Sequence, residues 1–580
     1  MVETIVMPKL GFNMSEGKLV CWYKKEGDEI RKGEPLFSIE TDKTAIDVEA
    51  TRDGVVRSLL VREEETVPVT LPIAIISDAG EDFEAERKAA LSQLSGASLD
   101  GQAPAESKKD TSPPLPSSPS EKGWDYDVIV IGGGPGGYVA AIKAAQLGNR
   151  VALVEKDRTG GVCLNRGCIP TKILLRSAEA LKEVRDCDSY AVSGVDASRA
   201  CLDMVKLQNR KSGIVNQLVG GVEGLLKKNG VTRINGVGNI TDANTVTVDG
   251  KAYTSAYIII ATGSSVKSLP IPTDSGMKVF TSDDMLSMTE LPRETVVIGG
   301  GVIGVELAYF LVSAGVKVTI VEFLDRILPM IDTEIAGLAA KKLERMGVVM
   351  NVSSRVTRIA GDAVFFETGG GERKAAADCV LMAVGRGADT GGIDCETLGI
   401  KLDKGAIVTD ASLRTSVPNI FAIGDVNGKV MLAHTASMEG IVAAEVISGR
   451  ASVMNYDRIP NAVYLQPELA SVGLTEEQAR EKYPSVAVGR FPLTANGKSK
   501  LAGEDEGLAK VIVDTEYGEI LGVHLWCLHA TDIISEATAA MCLEATAEEV
   551  AMTVHPHPSI AEALQEAAHA ALGKPIHFFA

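Results

Sequence analysis

The stretch YDVIVIGGGPGGYVAAIKAAQLGNRVALVEK, residues 126–156, decides the fold of this chain. An apolar run leads into Gly132-Gly-Gly134-Pro-Gly-Gly137, and an alanine-rich run then leads to a second apolar run that ends at Glu155. This is the strand, glycine turn, helix and strand of a dinucleotide-binding unit. Its first glycine makes the turn, its second admits a pyrophosphate to the backbone, and its third lets the helix pack on the sheet. The pyrophosphate of such a unit sits at the helix N-terminus.

The same pattern recurs 167 residues later as ETVVIGGGVIGVELAYFLVSAGVKVTIVEF, residues 294–323. Its glycines and its acid are Gly299, Gly301, Gly304 and Glu322. In both copies the glutamate follows the first glycine by 23 residues, a spacing suited to hydrogen bonds with ribose hydroxyls. An acid at Glu322 repels a 2′-phosphate, so the second unit is predicted to bind NAD rather than NADP.

Two cysteines follow the first unit, in the segment CLNRGCIPTK that begins at Cys163 and contains Cys168. In a regular helix their Cα atoms would lie roughly 8.6 Å apart, whereas a disulfide tolerates up to ~7 Å. A bridge therefore needs a distorted helix start, which Asn165, Gly167 and Pro170 permit. The alternative is two unpaired buried cysteines. A dithiol beside two dinucleotide units favours an electron relay with a flavin in the first unit and a nicotinamide in the second.

Composition narrows the function classes. A length of 580 residues indicates several domains. A net charge of −19 disfavours nucleic acid as a partner, because phosphate binding needs basic surfaces. The sequence contains no run of about 18 apolar residues, so no membrane span is predicted. The N-terminal MVETIVMPKLGF lacks the features of a signal peptide, so a cytoplasmic protein is expected. Nine scattered cysteines do not form a secreted disulfide framework, and no metal site is expected.

From about Tyr126 to Gln565 the chain resembles the flavin-dependent pyridine nucleotide–disulfide oxidoreductases, and among them the dihydrolipoamide dehydrogenases. Beyond the motifs above, the resemblance includes ATG at 261–263, TSVPNIFAIGD at 415–425 and HPHPSIAE at 555–562. It implies FAD contacts from Gly132, Gly134, Gly137, Glu155, Lys172, Thr262, Gly263, Asp425 and Ala433. It implies NAD contacts from Gly299, Gly301, Gly304, Glu306, Glu322 and Gly385.

The resemblance also implies roles. Asp425 is expected to hold the ribitol of the flavin, and Lys172 to pair with Glu306 near the reactive flavin nitrogen. Cys163 would be the interchange thiol and Cys168 the charge-transfer thiol.

The catalytic base implied by the resemblance is His557, oriented by Glu562. Dithiol chemistry needs a base because the thiolate is the nucleophile, and a carboxylate on the other ring nitrogen would fix the tautomer. His555 is expected to be structural. In the family this base reaches the dithiol of the other subunit, which implies a homodimer.

Residues 1–78 resemble a lipoyl domain, with MPKLG at 7–11 and ETDKTA at 40–45. Lys43 has Gly27 sixteen residues before it and Gly54 eleven after it, as in that family. A hairpin tip at Asp42-Lys43 would expose the amine to a modifying enzyme, and the Asp-Lys-Thr context favours covalent lipoate over biotin. The alternative is an unmodified surface lysine.

The expected fold class is α/β, with two Rossmann-like domains for FAD and NAD, an α+β interface domain, and an all-β lipoyl domain, a flattened barrel or sandwich, in front. The expected domains are 1–78 (lipoyl), 79–122 (flexible linker rich in serine and proline), 123–272 (FAD-binding), 273–396 (NAD-binding), 397–458 (central) and 459–580 (dimerisation).

The expected activity is NAD-dependent oxidation of dihydrolipoyl groups. The expected partners are a second copy of the chain, lipoyl domains, and the E2 acyltransferase core of a 2-oxoacid or acetoin dehydrogenase complex; a glycine cleavage system is a further possible parent. Two alternatives stay open. One is a lipoyl carrier or docking module whose flavin half is vestigial. The other is a related reductase for glutathione or mercury, which Glu322 disfavours.

Overall fold

The computed structural model describes residues 2–8, 16–40, 45–63, 65–78, 80–81, 83–96, 123–274 and 276–579. The chain divides into two compact units, Met1–Pro114 and Leu115–Ala580. Within the described ranges, no helix is both long enough and apolar enough to cross a membrane. The cytoplasmic location expected from the sequence stays a prediction.

The first unit consists of two four-stranded antiparallel sheets, ordered β1-β8-β6-β3 and β5-β4-β2-β7. Its core is made of side chains such as Leu19, Phe37, Ile39 and Val56, all fully buried. The predicted all-β domain is confirmed. Its elements are β1 Glu3–Val6, β2 Glu16–Trp22, β3 Glu29–Ile30, β4 Pro35–Glu40, β5 Ala45–Glu49, β6 Gly54–Leu59, β7 Thr66–Pro68, β8 Pro72–Ser77 and the following helix α1 Glu84–Gly96.

The second unit mixes strands and helices throughout. Its strands are β9 Tyr126–Ile131, β10 Val151–Glu155, β11 Thr232–Asn235, β12 Gly238–Asp242, β13 Thr245–Val248, β14 Lys251–Ile260, β15 Ser264–Val266, β16 Lys278–Phe280, β17 Glu294–Ile298, β18 Lys317–Val321, β19 Val349–Asn351, β20 Arg355–Ala360, β21 Ala363–Thr368, β22 Gly371–Ala376, β23 Cys379–Met382, β24 Arg386–Ala388, β25 Leu402–Asp403, β26 Ala406–Ile407, β27 Ile420–Ala422, β28 Asn461–Val463, β29 Glu468–Gly473, β30 Val486–Pro492, β31 Leu508–Asp514 and β32 Ile520–Cys527.

The helices of the second unit are α2 Pro135–Gln146, α3 Gly161–Arg166, α4 Cys168–Arg185, α5 Met204–Lys228, α6 Ser282–Met285, α7 Val302–Ser313, α8 Thr333–Arg345, α9 Ala433–Ile447, α10 Glu476–Lys482, α11 Gly497–Leu501, α12 Ala530–Cys542, α13 Ala547–Met552 and α14 Glu562–Ala571. Short 3-10 turns cover Cys187–Tyr190, Ala197–Arg199, Gly424–Asn427 and Leu493–Ala495.

The first predicted dinucleotide unit forms a sheet ordered β11-β10-β9-β14-β13-β12, with β27 joined to β14. Strands β11, β10, β9, β14 and β27 run parallel, whereas β12 and β13 form an antiparallel edge. The region 397–458, predicted as a central domain, thus supplies β27 to this sheet. It also supplies α9, which packs closely against α2. The close approach needs glycine at position 440, since a Cβ there would lie 2.6 Å from the carbonyl oxygen of Gly136. The domain boundaries stay a prediction.

The second predicted unit forms a five-stranded parallel sheet ordered β16-β23-β17-β18-β19. A three-stranded antiparallel sheet, β20-β21-β22, accompanies it. The C-terminal region forms a five-stranded antiparallel sheet ordered β28-β29-β32-β31-β30. Side chains of α12, α13 and α14 share a hydrophobic core with this sheet. The predicted α/β class, with two Rossmann-like domains and an α+β domain, is therefore confirmed.

Candidate active site

The two cysteines lie on either side of a helix break. Helix α3 ends at Arg166 and α4 begins at Cys168, with Gly167 between them in neither helix. A Cβ at Gly167 would approach the carbonyl oxygen of Val162 to 3.0 Å, so this crossing favours glycine. The distortion that the spacing of the cysteines required is thus present. Both cysteines are partly buried free thiols.

The two thiols differ in charge. The pKa of Cys168 is lowered to about 7 by the hydrogen bond from Cys163 and by the positive charge of Lys172, against the effect of burial. The same hydrogen bond, together with burial, raises the pKa of Cys163. Cys168 therefore loses its proton first, and the resulting negative charge lies on Cys168 while Cys163 keeps its proton, as expected of a charge-transfer thiolate beside its interchange partner.

Lys172 is one helical turn beyond Cys168 and forms the ion pair that the sequence predicted. Its Nζ lies 2.9 Å and 3.1 Å from the two carboxylate oxygens of Glu306, which is almost fully buried on α7. Sequence reasoning missed Tyr464, whose backbone N–H donates to Glu306 Oε1 at 2.9 Å and whose ring centroid lies 4.3 Å from Lys172 Nζ. A tyrosine at the end of an interface-domain strand gives no signal of this role in the sequence.

The two glycine turns share one geometry. Gly132 and Gly299 have φ values of +106° and +109°, a conformation that favours glycine. A Cβ on either would collide with a carbonyl oxygen, of Ala261 or Ala383 respectively. The third glycines of the motifs, Gly137 and Gly304, pack in the same way against the carbonyl oxygens of Gly132 and Gly299.

The N-termini of α2 and α7 are open to a ligand. The residues that precede them, Gly134 and Gly301, have extended backbones and provide no side-chain cap. No Cβ blocks the approach, and the first N–H groups of each helix are left for an anion, as a bound pyrophosphate requires. Both turns therefore fit a dinucleotide.

The two motif glutamates are held by backbone N–H groups. Glu155 accepts hydrogen bonds from Gly133 N at 2.6 Å and Asp157 N at 2.8 Å. Glu322 accepts hydrogen bonds from the N–H groups of Gly300 and Leu324. Each carboxylate oxygen retains a second lone pair. Their contact with a ribose stays a prediction.

The remaining predicted contacts lie in the same region. Asp425 accepts a hydrogen bond from the Ser264 hydroxyl, which in turn accepts one from Arg386 Nε at 2.7 Å. The Thr262 hydroxyl donates to the carbonyl oxygen of Asp389 at 2.6 Å. The link from Arg386 through Ser264 to Asp425 joins β24 to β15 and to the turn after β27, a connection that the sequence does not reveal.

One cavity of about 1920 Å³ joins both glycine turns to the cysteines. Its predicted residues are Gly132, Gly134, Gly137, Glu155, Cys163, Cys168, Lys172, Thr262, Gly263, Gly299, Gly301, Glu306, Glu322, Gly385, Asp425 and Ala433. A single space thus reaches from one dinucleotide turn to the other and passes the dithiol. Within the described residues, no group of three or more His, Cys, Asp and Glu side chains is placed to hold a metal ion.

The predicted base lies elsewhere on the chain. His557 Nδ1 is 2.8 Å from Glu562 Oε1, and Glu562 Oε2 accepts the N–H of Ser559 at 2.8 Å. The side chain of His557 is 79 % exposed. Neither His557 nor Glu562, both described, lines the cavity that contains the cysteines. The structure forms the dyad but leaves it apart from the dithiol of its own chain.

The sequence profile of the pyridine nucleotide-disulphide oxidoreductases matches residues 126–440, just over half of the chain. The chain belongs to this family. The family's dimerisation domain matches residues 459–568, and the profile described as biotin-requiring enzyme, which covers biotinyl and lipoyl domains, matches residues 3–76.

Relatives of this oxidoreductase include a dihydrolipoyl dehydrogenase of Bacillus subtilis, 41% identical over 78% of this chain and 99% of the relative. A mitochondrial dihydrolipoyl dehydrogenase of Pisum sativum is 40% identical over 78% of this chain and 93% of its own. Among solved structures, the HOCl-induced flavoprotein disulfide reductase RclA from Escherichia coli superposes with a TM-score of 0.68. It is 30% identical, over 76% of this chain and 98% of that one.

Sequence reasoning about this oxidoreductase also missed Glu439, a fully buried carboxylate on α9. It accepts hydrogen bonds from the N–H of Gly424, from Asn427 Nδ2 at 3.0 Å and from the Tyr456 hydroxyl at 2.6 Å. These bonds fasten the turn that carries Asp425. Burial dominates the shift of the Glu439 pKa, which is raised. An acid near the middle of the largely apolar helix AHTASMEGIVAAEVI was the available signal.

The predicted lipoyl lysine lies outside the described residues. Strands β4 and β5 pair in antiparallel register with Glu40 opposite Ala45, and Lys43 belongs to the intervening residues 41–44. Its modification stays a prediction.

Proposed function

We propose that this oxidoreductase is an NAD-dependent dihydrolipoyl dehydrogenase. The observation that carries the proposal is the dithiol, in which Cys168 holds the negative charge beside the Lys172–Glu306 ion pair, in a cavity that both dinucleotide turns enter. Curated relatives at 40–41% identity that bear this name support the choice of substrate. The lipoyl-type domain supports it independently.

The residues present fit FAD at the first turn and NAD at the second. The uncapped N-termini of α2 and α7 suit two pyrophosphates, and the cavity between them is large enough for both cofactors. Glu155 and Glu322 would accept the ribose hydroxyls, and Asp425 would hold the ribitol. When bound, FAD supplies a carrier that takes an electron pair from the dithiol and passes a hydride to NAD⁺.

The cysteines exchange their disulfide with the substrate dithiol. A dihydrolipoyl thiolate attacks Sγ of Cys163 in the oxidised pair, the bond between Cys163 and Cys168 breaks, and Cys168 leaves as a thiolate. The second substrate thiolate then attacks the mixed disulfide, closes the lipoyl ring and expels Cys163 as a thiolate, which takes back the proton held by His557. Lys172 offsets the negative charge of the Cys168 thiolate, and bound FAD would accept the electron pair from this thiolate. Of the two substrate thiol protons, one is released to solvent, and the other accounts with the electron pair for the hydride that NAD⁺ receives.

His557 takes the first thiol proton at Nε2, because Glu562 occupies Nδ1 and stabilises the resulting imidazolium. Its exposure and its place outside the cavity favour action on another subunit. With the dimerisation domain, this supports a homodimer in which each chain supplies the base for the dithiol of the other.

The lipoyl-type domain is proposed to carry lipoate on Lys43. The proposed partners are lipoyl domains and the E2 acyltransferase core of a 2-oxoacid or acetoin dehydrogenase complex. Intact-mass analysis of protein coexpressed with a lipoate ligase tests the attachment. A mass increment that is present in the wild type and absent in Lys43→Arg supports it, and its absence from the wild type rejects it.

The activity is tested by following NAD⁺ reduction with dihydrolipoamide, in parallel with NADPH oxidation by glutathione disulfide. The holoenzyme should turn over the first pair, and Cys163→Ser should abolish that turnover. Cys542→Ser, which removes an exposed cysteine far along the chain, is the matched control and should retain it. Turnover of the second pair alone would instead identify a glutathione-type reductase. A colourless protein inactive with both would identify a carrier.

A further inference from the structure

The histidine two residues before the proposed base has an unusual environment. The side chain of His555 is only 4 % exposed, although it belongs to the loop that presents His557. Its Nδ1 lies 2.9 Å from the carbonyl oxygen of Thr553, and its Nε2 lies 2.9 Å from Glu536 Oε1 on α12. Both ring nitrogens are therefore at hydrogen-bond distance from an oxygen.

Neither of these two oxygens belongs to a group that ordinarily donates. A carbonyl only accepts, and an ionised carboxylate only accepts. A neutral imidazole has one N–H, so either neutral tautomer of His555 would set a nitrogen lone pair against an oxygen at 2.9 Å. An imidazolium donates from both nitrogens. A carboxylic acid is ordinarily about two pKa units more acidic than an imidazolium, so the shared proton belongs on the ring.

We propose that His555 is a positioning residue that carries its positive charge at neutral pH and clamps the loop bearing His557 by donating from both ring nitrogens. The charge state stands on the contacts of His555 alone, whereas its value for catalysis rests on the proposed function of His557.

The clamp closes one end of a loop that is tied at several points. The carbonyl oxygen of Thr553 also accepts Gln565 Nε2 from α14 at 2.9 Å. Near the other end, the carbonyl oxygen of Ser559 accepts Asn496 Nδ2 at 2.9 Å. The bond from His555 to Glu536 joins this loop to α12. Among the described residues, no other side chain of residues 553–559 forms a hydrogen bond with α12. Loss of the charge would therefore cost one of the two bonds, because a neutral ring has a single N–H for either Thr553 or Glu536.

The groups that face His555 come from three elements. Glu536 on α12 raises the pKa of His555 most, the carbonyl of Thr553 and the carboxylate of Glu562 on α14 add to it, and burial opposes it. The pKa of Glu562 is lowered although burial acts to raise it. The Ser559 N–H, His557 and the charge of His555 all contribute to this lowering. The clamp thus helps keep the orienting carboxylate ionised.

The direction of the pH dependence follows from the raised pKa. The clamp is complete below the ordinary histidine pKa of 6.5 and is lost as the pH rises through the higher pKa of the folded protein. An effect of His555 on turnover should therefore appear on the alkaline side of the pH profile.

The test compares two variants of the holoenzyme that make the same charge change on the same helix. Glu536→Gln keeps an oxygen beside His555 but removes the negative charge. Asp532→Asn, at a side chain that is 84 % exposed one turn earlier, is the matched control. Ring nitrogen signals of ¹⁵N-histidine-labelled protein are followed with pH, and the His555 signals are assigned by their absence in His555→Gln.

The wild type should show both nitrogens of His555 protonated at pH 7. In Glu536→Gln the titration of His555 should move to lower pH by about one unit or more, as expected for removal of an adjacent opposite charge. The alkaline limb of kcat should move in the same direction. Asp532→Asn should leave both unchanged. A neutral tautomer of His555 in the wild type at pH 7, or equal titrations in the two variants, would overturn the proposal.

These results separate the inference from the proposed function. The nitrogen signals need no turnover, so a protonated His555 in a protein without dihydrolipoamide activity supports the charge state and rejects the function. An active enzyme with a neutral His555 supports the function and rejects the inference. An alkaline limb of kcat that stays in place while the titration of His555 moves would reject the positioning role.

Discussion

The ionisation of Cys168 is predicted to depend on a hydrogen-bond donor at position 163. Replacing Cys163 by alanine removes this donor, whereas replacing it by serine keeps an O–H group of similar size. Both variants lose the interchange thiol, so any difference between them reports the donor alone. Lys172 remains in both. The serine variant should keep an acidic Cys168, and the alanine variant should not.

The magnitude follows from the forces on Cys168. Its pKa lies at about 7, against an ordinary value of 9.0, and the hydrogen bond from Cys163 is the largest single cause of the lowering. In the alanine variant, burial of Cys168 opposes the remaining attraction of Lys172. The pKa of Cys168 should therefore return to about its ordinary value. Two pKa units correspond to about 3 kcal/mol. At pH 7 the thiolate fraction is then about one half with the donor and about one hundredth without it.

The assay is alkylation of the reduced holoenzyme by iodoacetamide, with the peptide that contains Cys168 quantified by mass spectrometry. At pH 7 the alanine variant should react about 50-fold more slowly than the serine variant, because the thiolate is the reacting form. The exposed Cys542 serves as the internal reference for the reagent. Equal rates at Cys168 in the two variants, across pH 6 to 9, would refute the reasoning.

Three further substitutions and two control substitutions test close packing and buried polar groups in the second unit. Gly137→Ala should prevent folding of the first dinucleotide domain, measured as loss of soluble flavin-bound protein. Gly213→Ala, on α5 with open space at its Cβ, should be neutral or stabilising by up to about 1 kcal/mol. Glu439→Ala should leave its buried donors unpaired, cost about 3 kcal/mol and lower the flavin content seen by absorbance. Lys510→Met should lower the urea midpoint by the equivalent of about 3–5 kcal/mol, because three carboxylates lie within 3.0 Å of this fully buried ammonium. Lys206→Met, at an 86 % exposed side chain, should cost less than about 1 kcal/mol.

Much of the site was readable from local spacing. The glycine turns at Gly132 and Gly299 needed only the order of strand, glycines and helix, because the backbone conformation of a few neighbouring residues sets them. The helix break between Cys163 and Cys168 was likewise readable, since helix geometry forbids a bridge at that spacing. The pair of His557 with Glu562 was implied by the family resemblance, and the turn between the two residues brings them together.

The local units were therefore predictable from the order of the amino acids: two dinucleotide turns, a dithiol at a broken helix, a histidine with its carboxylate and an all-β domain. The folded structure was needed to show which distant groups meet them. It placed Tyr464 against Glu306, buried Glu439 beneath the turn of Asp425, and set the charged His555 against α12. Such contacts join residues far apart in the chain, and they depend on how sheets and helices pack rather than on the conformation of any one segment. Local backbone preferences act over a few residues, whereas burial and pairing of polar groups are settled only when the layers close around them.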